Sequence, residues 1–195
     1  MLMPRRSLLF FVILPLFFAS GCSGGKEPLP RHNPMGLPKD INQEAASAFA
    51  LAHVLWRNSE VCSDPDLAIA YLDKAVALQA DYADAYMRRG LAKSDRRDWD
   101  GAFDDVTRAI RIHPSAENYA YRGLISMRGG NALGARKDYN RSLEINSGQH
   151  RAWNFRAALN LLEDRREEAC NDFRKGCSNG DCTGWESAKT NGFCK

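Results

Sequence analysis

The residues best able to do chemistry are six cysteines (Cys22, Cys62, Cys170, Cys177, Cys182, Cys194) and four histidines (His32, His53, His113, His150). Four of the cysteines crowd the C-terminal end in the order Cys-x6-Cys-x4-Cys-x11-Cys. No Cys-x2-Cys knuckle and no neighbouring histidine accompanies them, so disulfides are expected there rather than zinc. Cys170 and Cys177 fall on one predicted helix, where a rise of about 1.5 Å per residue sets them roughly 10 Å apart. A disulfide needs Cα atoms within about 7 Å, so these two do not pair. A turn over 178–181 and a short closing helix over 183–190 would bring Cys177 opposite Cys182 and Cys170 opposite Cys194. The alternative joins Cys182 to Cys194 around the short helix. The histidines share no register, and no Gly-x-Ser-x-Gly, His-Glu-x-x-His or phosphate-cradling glycine loop occurs. Enzymatic activity would need a hidden site at Cys62 or a histidine. No cofactor and no metal are expected.

The elements that must position these residues recur. Gly90, Gly123 and Ala157 lie 33 to 34 residues apart, and so do Ala102, Ala135 and Ala169. Tyr86, Tyr119 and Trp153 precede the first set by four residues. Val106, Tyr139 and Phe173 follow the second set by four. A fixed period of this length predicts stacked two-helix units, each unable to bury its apolar face alone. The small residues mark where the helices of a hairpin cross, and the aromatics fill the holes beside the crossing. Arg89, Arg122 and Arg156 keep one repeat position, and Asp105, Asp138 and Asp172 keep another sixteen residues on. The first repeat has Leu55 and Tyr71 at these places. Joint presence and joint loss predict an Arg–Asp bond joining the two helices of each later repeat.

This pattern resembles the tetratricopeptide repeat, with the repeats numbered from Ala83, Ala116 and His150. The resemblance implies an all-α fold: a right-handed α-solenoid of about four helical hairpins with a short, disulfide-stapled C-terminal capping helix. It divides the chain into a degenerate first repeat (41–82), three repeats (83–115, 116–149, 150–183) and a cap (184–195). In the first repeat Trp56 falls where a small residue is wanted, and the segment around 60–65 has room for an insertion. The resemblance also implies a concave groove along the first helices of the hairpins. Carried over, its lining is Met87, Arg88 and Leu91 from repeat two, Tyr121, Leu124, Met127 and Arg128 from repeat three, and Arg151 and Phe155 from repeat four. That describes an apolar trough with arginines at its edges, suited to an amphipathic helix or extended peptide. The competing assignment puts Leu124, Leu161 and Leu162 in the core between repeats. The Lys/Asn carboxylate clamp of chaperone-binding members is missing, since Met87, Leu91 and Tyr121 stand at its positions.

Residues 1–21 read as a signal peptide: Arg5 and Arg6, an apolar run over 8–18 too short to span a bilayer, then small residues. Ala19-Ser20-Gly21-Cys22 resembles the lipobox of bacterial lipoproteins, which implies cleavage before Cys22 and lipid on its thiol. Ser23 in place of Asp implies sorting to the outer membrane. Residues 22–40 then form a tether rich in proline and glycine. If extended, about 18 residues reach roughly 55 Å. The chain has 195 residues, 44% hydrophobic and 26% charged, which is ordinary for a folded protein. Its net charge is +3, and loss of Arg5 and Arg6 with the leader leaves it near neutral. A near-neutral protein lacks the basic footprint of general nucleic-acid binding. The sequence therefore points to a non-catalytic scaffold, anchored by lipid in the bacterial envelope and facing the periplasm, with a protein or peptide client in its groove. A pilotin-like chaperone for an outer-membrane secretion or type IV pilus component is the alternative.

Overall fold

The computed structural model of the chain describes residues 41–56 and 61–195. The expectations for the leader, Cys22 and the tether lie outside the described residues. Among these residues all regular structure is helical: α1 (Gln43–His53), α2 (Pro65–Leu78), α3 (Ala83–Asp95), α4 (Trp99–Ile112), α5 (Ala116–Arg128), α6 (Ala132–Ile145), α7 (His150–Leu162), α8 (Arg166–Ser178) and α9 (Thr183–Thr190), with a 3-10 turn at Val54–Trp56 after α1. Helices pair as hairpins α1–α2, α3–α4, α5–α6 and α7–α8, each hairpin packs on the next, and α9 packs on α8. The first helices also touch one another, α3 against α5 and α5 against α7. The result is the disulfide-stapled α-solenoid expected from the repeat.

Local signals explain where the helices start and stop. Asp64, Asp98 and Asn131 cap α2, α4 and α6, each side chain accepting the N–H three residues on. Such caps satisfy donors that the first helical turn leaves open. Three-residue links, 96–98, 129–131 and 163–165, turn the chain inside the later hairpins. The middle residue of each has positive φ: Arg97 at 64°, Gly130 at 86° and Asp164 at 57°. The next N–H then reaches back to a carbonyl of the helix just ended, from Asp98 to Lys93 (3.0 Å), Asn131 to Ser126 (2.8 Å) and Arg165 to Asn160 (2.8 Å). Only at Gly130 is this left-handed conformation free of side-chain strain.

The small residues sit at the crossings. A Cβ on Gly90 would lie 2.6 Å from Val106 Cγ2 and 2.8 Å from the Ala102 carbonyl oxygen. On Gly123 it would lie 2.5 Å from a Tyr139 ring carbon and 3.1 Å from the Ala135 carbonyl oxygen. Repeat four accepts Ala157, fully buried against Ala169 and Phe173, because the Phe173 ring lies against Gly184 of the cap. Cys170–Cys194 and Cys177–Cys182 are bonded, with Cα separations of 5.6 and 3.8 Å. The first bond ties α8 to the segment after α9, and the second closes the turn between them.

The first hairpin departs from the expected register. α1 starts at Gln43, and its buried face is Ala45, Ala48 and Ala52. Those alanines supply the small face that the repeat frame found missing. Trp56, placed by that frame at the crossing, instead lies buried in the 3-10 turn after α1. The reason is the longer connection between the two helices, which shifts α1 toward the N-terminus relative to α2.

Candidate functional site

The three recurring Arg–Asp positions form three copies of one device. Arg89, Arg122 and Arg156 each donate two hydrogen bonds to the facing carboxylate. The pairs are Arg89–Asp105 (2.8 and 2.6 Å), Arg122–Asp138 (2.8 and 2.7 Å) and Arg156–Asp172 (2.8 and 2.9 Å). The carboxylates are buried, at 6%, 5% and 4% exposure, so the two-pronged geometry compensates for lost hydration. Each guanidinium also lies over the aromatic ring three residues before it. Its carbon is 5.2 Å from the Tyr86 ring centre, 5.4 Å from that of Tyr119 and 4.8 Å from that of Trp153.

Each guanidinium has a further partner that sequence reading missed. Its remaining nitrogen reaches back to the preceding hairpin: Arg89 to Asp73 (2.8 Å), Arg122 to Thr107 Oγ1 (3.5 Å) and Arg156 to Asn140 (2.7 Å). One arginine thus joins three helices. The signal was available, because positions 73, 107 and 140 are polar at the same 33-to-34-residue period.

The groove assignment needs correction. Met87, Leu91, Tyr121 and Leu124 are buried, at 4%, 0%, 1% and 5% exposure. Because α3, α5 and α7 touch, these side chains fill the spaces between successive first helices and are closed to a client. Met127 and Phe155 are half-buried: Met127 accepts the Tyr139 hydroxyl, and the Phe155 ring packs on Tyr121 and Tyr139. What remains accessible on these helices is mainly charged. Arg128 pairs with Asp95 across the repeat boundary at 2.8 Å, and Arg151 stands 3.7 Å from Glu117. Arg88 lies over the Trp56 ring, 5.3 Å from its centre. Leu162, at the far end of α7, is 76% exposed. The face is therefore a row of alternating charges over an aromatic floor, not an apolar trough.

Asp84, in the first turn of α3 and near Glu117 of α5, is displaced from ordinary carboxylate behaviour. Burial, aided by the nearby Glu117 carboxylate and opposed by Arg88, pushes its pKa up to about 7. The folded state then holds a proton that the unfolded chain releases near pH 4. Between about pH 4 and 7 the native state binds more protons than the unfolded one, so stability falls as pH rises through that window. Asp84→Asn removes the penalty. It is expected to raise stability on the order of 1 kcal/mol at pH 8, after allowance for solvent screening, and to change little at pH 4. Urea titrations of both proteins at the two pH values check this; an equal effect at both would refute it.

No catalytic grouping emerges among the described residues. No three His, Cys, Asp or Glu side chains are placed to hold a metal ion. Cys62 is a free, buried thiol whose backbone N–H donates to Asp95 at 2.7 Å. Burial and the carboxylates of Asp95 and Asp64 outweigh a backbone hydrogen bond and Arg88, raising its pKa, the opposite of an activated nucleophile. His53 is pushed the other way, its pKa lowered by burial and by Arg88. Among the described residues no helix is long and apolar enough to cross a membrane.

Stacked hairpins, small-residue crossings and recurring inter-helix bonds define the fold of this molecule: an α-solenoid of the kind built by tetratricopeptide repeats. No protein-family model matches the chain. Over 110 residues, 56% of its length, it is 26% identical to human tetratricopeptide repeat protein 13. The match spans only 13% of that relative. Among solved structures, MamA superposes with a TM-score of 0.56 at 24% identity, covering 75% of this chain and 81% of MamA. The first tetratricopeptide domain of Spaghetti (RPAP3), solved with the HSP90 peptide SRMEEVD, superposes at 0.55 and 19% identity, covering 64% of this chain and 97% of that one.

Proposed function

We propose that the protein is a non-catalytic adaptor that recruits a protein or peptide client along the open face of α3, α5 and α7. The observation that carries this reading is the row of partly exposed charged and aromatic side chains on successive first helices, Arg88, Arg128, Arg151 and Phe155, on a fold that in RPAP3 carries a bound peptide. A client of mixed charge suits the row, because the Asp95–Arg128 and Glu117–Arg151 pairs can exchange an internal partner for one on the client. The lipobox-like run ending at Cys22 supports a lipid anchor in the bacterial envelope, with Ser23 favouring the outer membrane and the solenoid facing the periplasm. Anchor and groove then act by local concentration, confining a client to one membrane surface.

Affinity capture from detergent-solubilised envelopes tests the groove. Arg88→Ala/Phe155→Ala is expected to lose clients that the wild type retains, while identical client lists would overturn the assignment. Capture of a secretion or pilus subunit of the outer membrane would turn the reading to a delivery chaperone. Metabolic labelling with palmitate tests the anchor: the wild type is expected to take up label and Cys22→Ala to take up none. Equal labelling of both would remove the anchor from the mechanism.

A further inference from the structure

The two ends of the solenoid are finished differently. At the C-terminal end α9 covers the last hairpin, burying Ala188 and Cys194 against Ala157 and Phe173, and two disulfides hold it there. At the N-terminal end the α1–α2 hairpin presents a shallow slot of about 190 Å³ lined by Glu44, Ala48, Leu51, Tyr71 and Lys74, among others. Leu51 is 52% exposed there.

This slot lies on the side where a preceding hairpin would sit. Tyr71 holds on α2 the place that Asp105 holds on α4, and the Arg89 partner of Asp105 reaches back to α2 through Asp73. In the later repeats that side is held by a charged pair. In the first repeat Tyr71 replaces the aspartate, and α1 contains neither arginine nor lysine. The end of the array has thus been rebuilt from a polar bridge into an apolar seat, whereas solenoid ends generally carry a polar outer surface.

We infer that this seat is the contact surface of a two-fold dimer, in which the α1–α2 face of one copy packs on the same face of a second. The charges on its rim favour that occupant. Asn42, just before α1, donates its backbone N–H to Gln79, just after α2, at 2.9 Å. The start of α1 and the end of α2 therefore lie side by side, and Glu44 and Lys74 stand at the same end of the hairpin on opposite walls of the slot. A two-fold axis lying in the face along the slot sets α1 of each copy over α2 of the other at equal height. Each Glu44 then meets the other copy's Lys74, with Leu51 and Tyr71 facing the second copy farther along the same slot. Neither Glu44 nor Lys74 has an ion-pair partner among the described residues. Head-to-tail stacking is closed off because α9 covers the opposite end, so association stops at two. The face spans two helices, about 21 Å by 20 Å at ~1.5 Å per residue and ~10 Å per helix. That is at the low end for specific interfaces, and dimerisation is expected in the micromolar range.

Sedimentation equilibrium of the full chain in density-matched detergent, from about 1 to 200 µM on this micromolar expectation, tests the inference. The wild type is expected to pass from monomer to dimer across that range. Leu51→Glu is expected to remain monomeric with an unchanged helical melting curve, since Leu51 is already half in solvent. Glu44→Lys and Lys74→Glu should each weaken association about tenfold, and the double reversal should restore it to within about threefold of wild type. A monomer at every concentration, a dimer indifferent to Leu51→Glu, or reversals that fail to compensate would each overturn the inference. A wild-type monomer that instead holds a different protein through Leu51 would also overturn it. Because Arg88, Arg128, Arg151 and Phe155 are untouched, client capture through the groove is expected to survive Leu51→Glu.

Discussion

Gly90→Leu is expected to cost about 3 kcal/mol and to lower the melting temperature by roughly 6–12 °C. The first carbon alone would lie 2.6 Å from Val106 Cγ2 and 2.8 Å from the Ala102 carbonyl oxygen. Val106 is β-branched and fully buried, so it has no alternative rotamer to retreat into, and the carbonyl is held in the α4 ladder. Relief requires α3 and α4 to separate. That in turn lengthens the Arg89–Asp105 bonds, which cross between the same helices. Gly90→Ala carries only the first carbon and should cost about 1–2 kcal/mol. Leu133→Ala, at a side chain 82% exposed, is the control and should change stability by less than about 0.5 kcal/mol. Thermal melts of the three variants, followed by helical circular dichroism, decide the matter. A Gly90→Leu curve superimposed on wild type would mean that the helices do not cross where the structure places them.

The crossing was legible in the sequence because its chemistry is absolute: two backbones in contact admit only Gly or Ala, so Gly90, Gly123 and Ala157 announce themselves. The Arg–Asp pairs were legible for another reason. Each partner is useless when buried alone, so the two appear together in three repeats and vanish together from the first. The groove was only half legible. A repeat frame tells which face of α3 or α5 looks inward, but not whether the next first helix covers it. That depends on how closely hairpins stack, a property of the assembled array. Met87, Leu91, Tyr121 and Leu124 accordingly went to the core, and Arg88, Arg128, Arg151 and Phe155 kept the surface. The first hairpin misled for a local reason. Its longer connection breaks the period, so counting back 34 residues from α3 lands on Trp56. The true signal was the alanine stripe at 45, 48 and 52, with helical spacing of its own.

The Arg122–Asp138 pair should show the largest coupling of the three. In repeat two Lys93 Nζ also contacts Asp105 at 2.8 Å, and in repeat four Asn160 donates to Asp172 at 3.1 Å. The corresponding residue of repeat three is Ser126, whose hydroxyl is buried without a partner and does not reach Asp138. Among the described residues Arg122 is thus the side chain bonded to the Asp138 carboxylate, whose own side chain is only 7% exposed. Arg122→Met leaves that charge buried and alone, and is expected to cost about 3 kcal/mol, near the lower figure for breaking a buried pair. Asp138→Leu leaves the guanidinium at 19% exposure and stacked on Tyr119, where water can still reach it, and should cost about 1–2 kcal/mol. The double variant should fall well short of the sum, with a coupling of about 2 kcal/mol. The same cycle on Arg89 and Asp105 should give a smaller value, because Lys93 remains to neutralise the carboxylate. Equal couplings in the two repeats would show that Lys93 contributes nothing. Coupling near zero in both would show that the arginines hold the array together through stacking and packing, with the aspartates as bystanders.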